Sequence, residues 1–250
     1  MKKLNKLALG LLLAGFMTAS FANEVSVRAA LTAKYPGTTV GAIEATPIPG
    51  IYQVTMGKNV AYTSEDGRYF LFGSLFDMQT QTDLTANKRE QATRVDWNSL
   101  PLKDAIVTVK GNGARKLAVF TDPDCPYCKQ LAKTLDTLDN VTIYNILFPI
   151  DSLHPDAAKK AESIYCAKDN VKALDDWFLR GVKPASKSCK SPVASNVEAA
   201  GRLGLNGTPM VISMDGRLMP GAAPKERIEA WLDVKQGKPV ASAPMPGSAQ

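Results

Sequence analysis

The chain has 250 residues, 22% of them charged and 45% hydrophobic, with 30 basic and 24 acidic side chains giving a formal charge of +6. That length suits one large domain or two modest ones. No basic run is interleaved with aromatics, which argues against a nucleic-acid interface. Beyond the N-terminus no stretch is apolar enough to span a bilayer.

The N-terminus reads as a targeting segment. Lys2, Lys3 and Lys6 precede an apolar run from Leu7 to Phe16, too short for a transmembrane helix. Ser20-Phe21-Ala22 places small residues where signal peptidase reads, so cleavage is expected after Ala22 and residues 1–22 are assigned to the signal. An uncleaved anchor is the alternative. Loss of the three lysines leaves a charge of +3 on the exported chain, and no membrane insertion is expected after cleavage.

Residues 23–83 read as a small domain. Glu24 to Lys34 is an amphipathic helix with Val27, Ala30 and Leu31 on one face, stopped by Tyr35-Pro36-Gly37. Five strand-like runs follow: Thr38 to Ala45, Ile51 to Met56, Val60 to Thr63, Arg68 to Phe72 and Leu75 to Gln79, with Glu65-Asp66-Gly67 as a hairpin turn. A helix on a small antiparallel sheet is the expected architecture. The segment carries no cysteine or histidine and no visible chemistry. Its apolar content at Val60, Tyr62 and Tyr69 to Phe72 fits either a core or a face that pairs with a second copy.

Residues 84–101 turn polar. Lys88, Arg89, Glu90, Arg94 and Asp96 suit an exposed face, Thr85 is a candidate cap, and a linker helix over Leu84 to Leu100 is expected. An ordinary surface helix of the next domain is the alternative.

Residues 102–237 hold the chemistry. Ile106 to Val109 is a strand, Gly111-Asn112-Gly113 a hairpin-type turn, and Lys116 to Thr121 a second strand that runs into Cys125-Pro126-Tyr127-Cys128. A helix with Leu131, Leu135 and Leu138 on one face follows, then a buried strand from Val141 to Phe148. This is a βαβ unit with a C-x-x-C pair where strand meets helix, the context of a thioredoxin-like redox site. Cys125 sits at the helix start, where unpaired amides and the dipole favour a thiolate, and the thiolate is the nucleophile. Pro126 suits the first helical position, which lacks a use for its N–H. Cys128, one turn further in, is placed to attack a mixed disulfide on Cys125. Haem attachment needs a histidine after the second cysteine, and Lys129 stands there. Zinc needs more ligands than this pair offers, and His154 is the single histidine. No metal and no cofactor is expected. A purely structural short-loop disulfide is the alternative.

In an oxidising compartment four cysteines pair by default, with three connectivities open. If Cys125 and Cys128 form the redox pair, Cys166 and Cys189 remain for a structural bond. Around them the chain reads as a helical insertion: a helix from Pro155 to Lys168 carrying Cys166, another from Val171 to Leu179 with Trp177 and Phe178 packed inward, an irregular Pro184 to Cys189, and a helix from Pro192 to Leu203. Asn206-Gly207-Thr208-Pro209 then precedes an apolar strand, Met210 to Ile212. A proline there does not sit mid-ladder. It is either a cis proline facing the C-x-x-C, with the Thr208 backbone open to an extended substrate strand, or a plain trans loop proline. Asp215-Gly216 makes the last hairpin and Pro224 to Lys235 the last helix, and 238–250, rich in Pro, Ala, Ser and Gly, reads as a disordered tail.

Phe120-Thr121-Asp122 before the C-x-x-C, Tyr165-Cys166-Ala167-Lys168-Asp169, Gly207-Thr208-Pro209 and Pro220-Gly221 together resemble the DsbC/DsbG family of periplasmic disulfide isomerases, over nearly the whole exported chain. The resemblance implies an α+β architecture: an N-terminal dimerisation domain with an antiparallel sheet, a helical linker, and a C-terminal thioredoxin-like domain with a helical insertion. It implies a periplasmic homodimer that rearranges wrong disulfides in secreted proteins, holds misfolded chains in a shared cleft as a chaperone would, and is kept reduced by a membrane carrier of the DsbD type. One departure stands out. DsbC members commonly have Gly-Tyr between the cysteines, whereas this chain has Pro126-Tyr127, as DsbG and some DsbC members do; DsbG lacks the second disulfide, so Cys166 and Cys189 favour DsbC. The dipeptide bears on the balance between isomerase and a DsbA-like oxidase. A redox-independent chaperone is the other rival.

Overall fold

The computed structural model describes residues 23–233. The signal segment, the tail and the end of the last expected helix lie outside the described residues. The chain divides into two compact units that part between Thr93 and Arg94.

In the first unit a helix, α1 (residues 23–34), packs on an antiparallel sheet of β1 (Val40–Ala45), β2 (Ile51–Met56), β3 (Asn59–Ser64) and β4 (Phe70–Leu71), in that spatial order. Val27 and Leu31, one helical turn apart, meet Ile43, Tyr52, Val54 and Ala61, the inward residues of the strands. The strand expected over Arg68 to Phe72 is only Phe70–Leu71. The run expected over Leu75 to Gln79 is a strand only at Phe76–Asp77 (β5), which pairs with Thr82–Asp83 (β6) in a small hairpin whose second strand no local signal marks. Its turn lacks glycine and proline; Gln81 adopts the positive φ, at 53°, and the Asp77 carboxylate accepts from the Gln79 and Thr80 amides.

The expected linker helix over 84–101 is not one element. The helix α2 spans Ala86–Thr93 and goes with the first unit, where Lys88 pairs with Glu44 at 2.7 Å. Thr85 is not the side-chain cap. Its hydroxyl is buried against the Tyr62 hydroxyl and accepts from the Leu75 amide, while Asp83 accepts from the Thr85 and Ala86 amides. Past Thr93 the apolar residues take over: Val95 and Leu100 are buried in the second unit, beside a 3-10 turn at Trp97–Ser99. The Val95 amide donates to the Gly216 carbonyl, which fixes this approach segment to the second unit.

The second unit is built on five strands, β7 (Ile106–Lys110), β8 (Arg115–Thr121), β9 (Val141–Leu147), β10 (Met210–Ser213) and β11 (Leu218–Pro220), in the order β11-β10-β8-β9-β7. β8 is central. Leu117 and Val119 face one core while Ala118 and Phe120 face the other, so alternation puts apolar residues on both faces. β8 and β9 run parallel, which requires a crossover, and α3 (Pro126–Asp136) supplies it. The expected hairpin at Gly111-Asn112-Gly113 is not formed: β7 pairs antiparallel with β9, because β10 and β9 occupy both edges of β8. The turn instead passes over the start of β9. A Cβ on Gly111 would collide with the Asp139 carboxylate, and one on Gly113 would meet the Thr142 hydroxyl at 2.7 Å, so bare backbone is required.

Three helices form the insertion: α4 (Ala157–Tyr165), α5 (Asn170–Arg180) and α6 (Val193–Leu203). α4 is shorter than expected, and Cys166 is its C-terminal cap residue rather than part of it. Phe178 is buried with Leu174 while Trp177 is half-buried. α7 (Lys225–Leu232) closes the described chain, with Ile228 on the β8 core. Among the described residues no helix is long and apolar enough to cross a membrane.

Candidate active site

The site forms where β8 ends. Asp122 to Asp124 turn the chain and Cys125 becomes the N-cap of α3, with extended backbone (φ −70°, ψ 121°), Pro126 in the first turn, and its carbonyl accepting from the Lys129 amide. Cys125 is 5% exposed and Cys128 1%, and both are free thiols. Tyr127, between them, is 63% exposed, so it forms the surface beside the pair.

The two sulfurs have different surroundings. The Cys125 thiol donates to the Thr208 carbonyl at 3.5 Å and makes no side-chain cap bond to the helix. Its place at the helix start predicts a sulfur aimed at the helix amides. As a thiol it has a proton to place, and a carbonyl takes it; the first-turn amides become partners only for the thiolate. Cys128 is enclosed, and burial pushes its thiol up to about 12. The Asp122 amide, 3.4 Å from the sulfur, and the Thr121 hydroxyl lower it only in part.

Pro209, just before β10, faces the pair. The Thr208–Pro209 peptide is cis, Pro209 is buried and Thr208 half-buried. The Pro209 carbonyl accepts from the Gly221 amide at 2.8 Å. Cys166 and Cys189 form a disulfide with Cα atoms 5.7 Å apart, tying the end of α4 to the irregular segment before α6.

The acidic residues flanking the pair are held by specific partners. Asp122 is fully buried: its carboxylate accepts from the Asp124 amide at 2.8 Å, the Ile150 amide at 2.8 Å, and lies 3.0 Å from His154 Nδ1. Asp124 takes the Lys160 ammonium on both oxygens at 2.7 Å. Trp177 donates its indole N–H to the Pro123 carbonyl at 2.6 Å, with Lys129 at 4.1 Å and Lys160 at 5.4 Å from its ring centre. Two lysines therefore sit close to the turn that carries Cys125. No local spacing in the sequence marks Lys160, Trp177 or the contact of His154, because all three come from the insertion and its approach, far along the chain.

The residues that the sequence brought forward thus meet in one place: Cys125, Pro126, Tyr127 and Cys128 on the helix start, Thr208 and Pro209 opposite. Cys166 and Cys189 are joined, and the insertion they close supplies Lys160 and Trp177 to the same turn. A thiol at a helix N-terminus, a second thiol behind it and the half-buried Thr208 backbone beside it suit thiol–disulfide exchange.

Comparisons with known proteins agree with this geometry. Residues 102–236 match the thioredoxin-like domain model and residues 18–86 the model for the N-terminal domain of disulfide bond isomerase proteins. A probable thiol:disulfide interchange protein DsbC from Bordetella parapertussis is 37% identical over 207 residues, covering 83% of this chain and 73% of that one. The thiol:disulfide interchange protein DsbC of Escherichia coli K12 is 29% identical over 227 residues, covering 90% of this chain and 94% of that one. A crystal structure of a disulfide interchange protein from Neisseria gonorrhoeae superposes with a TM-score of 0.52 at 40% identity, over 53% of this chain and 96% of that one. With an N-terminal sheet and helix, a thioredoxin-like second unit and a C-x-x-C pair at a helix start, the chain belongs to the DsbC family of thiol:disulfide interchange proteins.

Proposed function

We propose that this protein is a periplasmic disulfide isomerase in which Cys125 is the attacking sulfur and Cys128 the resolving one. The observation that carries the assignment is the asymmetry of the pair: Cys125 caps α3 beside Thr208 and the exposed Tyr127, whereas Cys128 is enclosed and its thiol is pushed up to about 12. The Cys125 thiolate attacks a non-native disulfide in a secreted protein, forming a mixed disulfide and releasing a substrate thiolate. That thiolate attacks another substrate disulfide, and the final exchange frees Cys125. When this stalls, Cys128 attacks Cys125, the substrate leaves reduced and the enzyme leaves oxidised. The cycle starts from the dithiol, so a membrane reductant of the DsbD type is required to restore it.

The Thr208–Pro209 backbone positions an extended substrate segment against the pair. The protein works as a homodimer through residues 23–83, with a signal over 1–22 that is cleaved after Ala22. Exposed Tyr69, Leu71 and Phe72 support the pairing surface. Holding misfolded chains also gives chaperone activity, for which aggregation suppression should persist with both cysteines of the pair replaced.

Refolding of scrambled ribonuclease tests the assignment. Cys125→Ser is expected to abolish isomerisation, and Cys128→Ser to accumulate mixed disulfides through Cys125. Full activity from Cys125→Ser would sink it.

A further inference from the structure

A cavity lies against Cys128, and neither Thr208 nor Pro209 lines it. It runs between α3, α5 and the sheet, with Cys128 and Thr121 at one end, Asn145 along its wall, and Lys110, Asp136 and Asp175 at the other. It leaves about 40 Å³ for the centres of water molecules. One water needs roughly 10–15 Å³ by this measure, so a short file of about three fits. Thr121, Thr108 and Asn145 give such a file polar partners.

The resolving step needs a proton acceptor for Cys128. Cys128 has to lose a proton to attack, yet its enclosure holds the thiol up to about 12. Of the titratable groups lining the cavity, Lys110 is a cation already paired with Asp136. That leaves the Asp175 carboxylate as the acceptor. Burial is the largest influence on it and raises its pKa above the usual carboxylate range; Asp136 and Asp176 act in the same direction, Lys110 and Arg180 against it. A more basic carboxylate is a better proton acceptor near neutrality.

We propose that Asp175 positions and drains a water file through this cavity, carrying the Cys128 proton away during resolution of the mixed disulfide. The inference rests on the assignment of Cys128 as the resolving thiol. The Cys128 S–H bond breaks and its proton passes along the file to Asp175 and then to solvent. The Cys128 sulfur bonds to Cys125, the bond from Cys125 to the substrate sulfur breaks, and the substrate leaves as a thiolate that takes up a solvent proton. The dithiol is oxidised and the substrate disulfide reduced.

The test uses the full reduced protein and glutathione disulfide as the probe. Acid quenching and mass analysis separate formation of the Cys125–glutathione adduct from its resolution. Asp175→Asn is expected to leave formation unchanged and slow resolution about tenfold or more at pH 7. The deficit should shrink above about pH 9, where hydroxide replaces the carboxylate, and Asp175→Glu should restore the rate. Ala132→Leu, which fills the cavity and keeps the carboxylate, should reproduce the slow resolution. Wild-type resolution in Asp175→Asn across pH 6–9 would overturn the inference, and so would an equal slowing of both steps. Absence of any adduct in Cys128→Ser, where resolution is blocked, would overturn the assignment beneath it.

Discussion

At the scale of single residues, Asp122 illustrates how the site is held. Its position before Cys125 suggests a charge that opposes the thiolate. Its surroundings give it a different part to play, because the carboxylate ties the Asp124 amide, the Ile150 amide and His154 to one buried point. Asp122→Ala strands two amide donors and the imidazole, so a loss of about 2–4 kcal/mol in unfolding free energy is expected by urea titration. A change below about 0.5 kcal/mol would show that the turn holds without it. Cys125, Cys128 and Pro209 were legible in sequence because their chemistry is local: spacing, a helix start, a proline before a strand. Asp122 was legible as a residue but not as a role. Its partners Ile150 and His154 lie beyond the whole βαβ crossover, and nothing in the letters places them at its oxygens.

At the scale of elements, the insertion is the part that departs from a minimal βαβ frame. α4 brings Lys160 to Asp124 and α5 brings Trp177 to the Pro123 carbonyl. The Cys166–Cys189 bond closes a loop with a sequence separation of 23. In the chain-entropy picture such a loop contributes about 3 kcal/mol. The double substitution Cys166→Ser with Cys189→Ser is expected to lower the unfolding free energy by about that amount while Cys125 still forms mixed disulfides. Loss of adduct formation in a folded double variant would contradict a purely structural bond. Strand order was the least legible feature. Periodicity marks β7 and β8 as strands and glycines mark the turn between them, but pairing is decided by which edges of β8 remain open, and β9 and β10 take both. The polar stretch after Leu84 misled for a related reason: charge on Lys88, Arg89 and Glu90 masks that Val95 and Leu100 are core residues of the following unit.

At the scale of the whole molecule, the first unit has a core of its own at Val27, Leu31 and Val54 and still leaves Tyr69, Leu71 and Phe72 exposed. The sequence allowed core or pairing surface for this apolar set, and the structure divides it. Val60 and Tyr62 are buried, while the β4 edge and its flank stay open. Contiguous exposed apolar side chains mark an interaction surface. Sedimentation equilibrium is expected to return twice the chain mass. Leu71→Lys with Phe72→Glu should shift the protein to monomer and lower isomerisation more than simple disulfide reduction. A dimer that survives this double change would move the interface elsewhere.

The difference between the two sulfurs is the claim on which the mechanism turns, and alkylation of the reduced protein with peptide mapping measures it directly. Burial disfavours a charged Cys128, so its reactive thiolate should appear only as the pH climbs towards about 12. At pH 7 only a very small fraction of molecules carries it. Iodoacetamide at pH 7 should therefore label Cys125 and spare Cys128, with Cys128 labelling rising only in strong alkali. Equal labelling of both cysteines at pH 7, or preferential labelling of Cys128, would contradict the account.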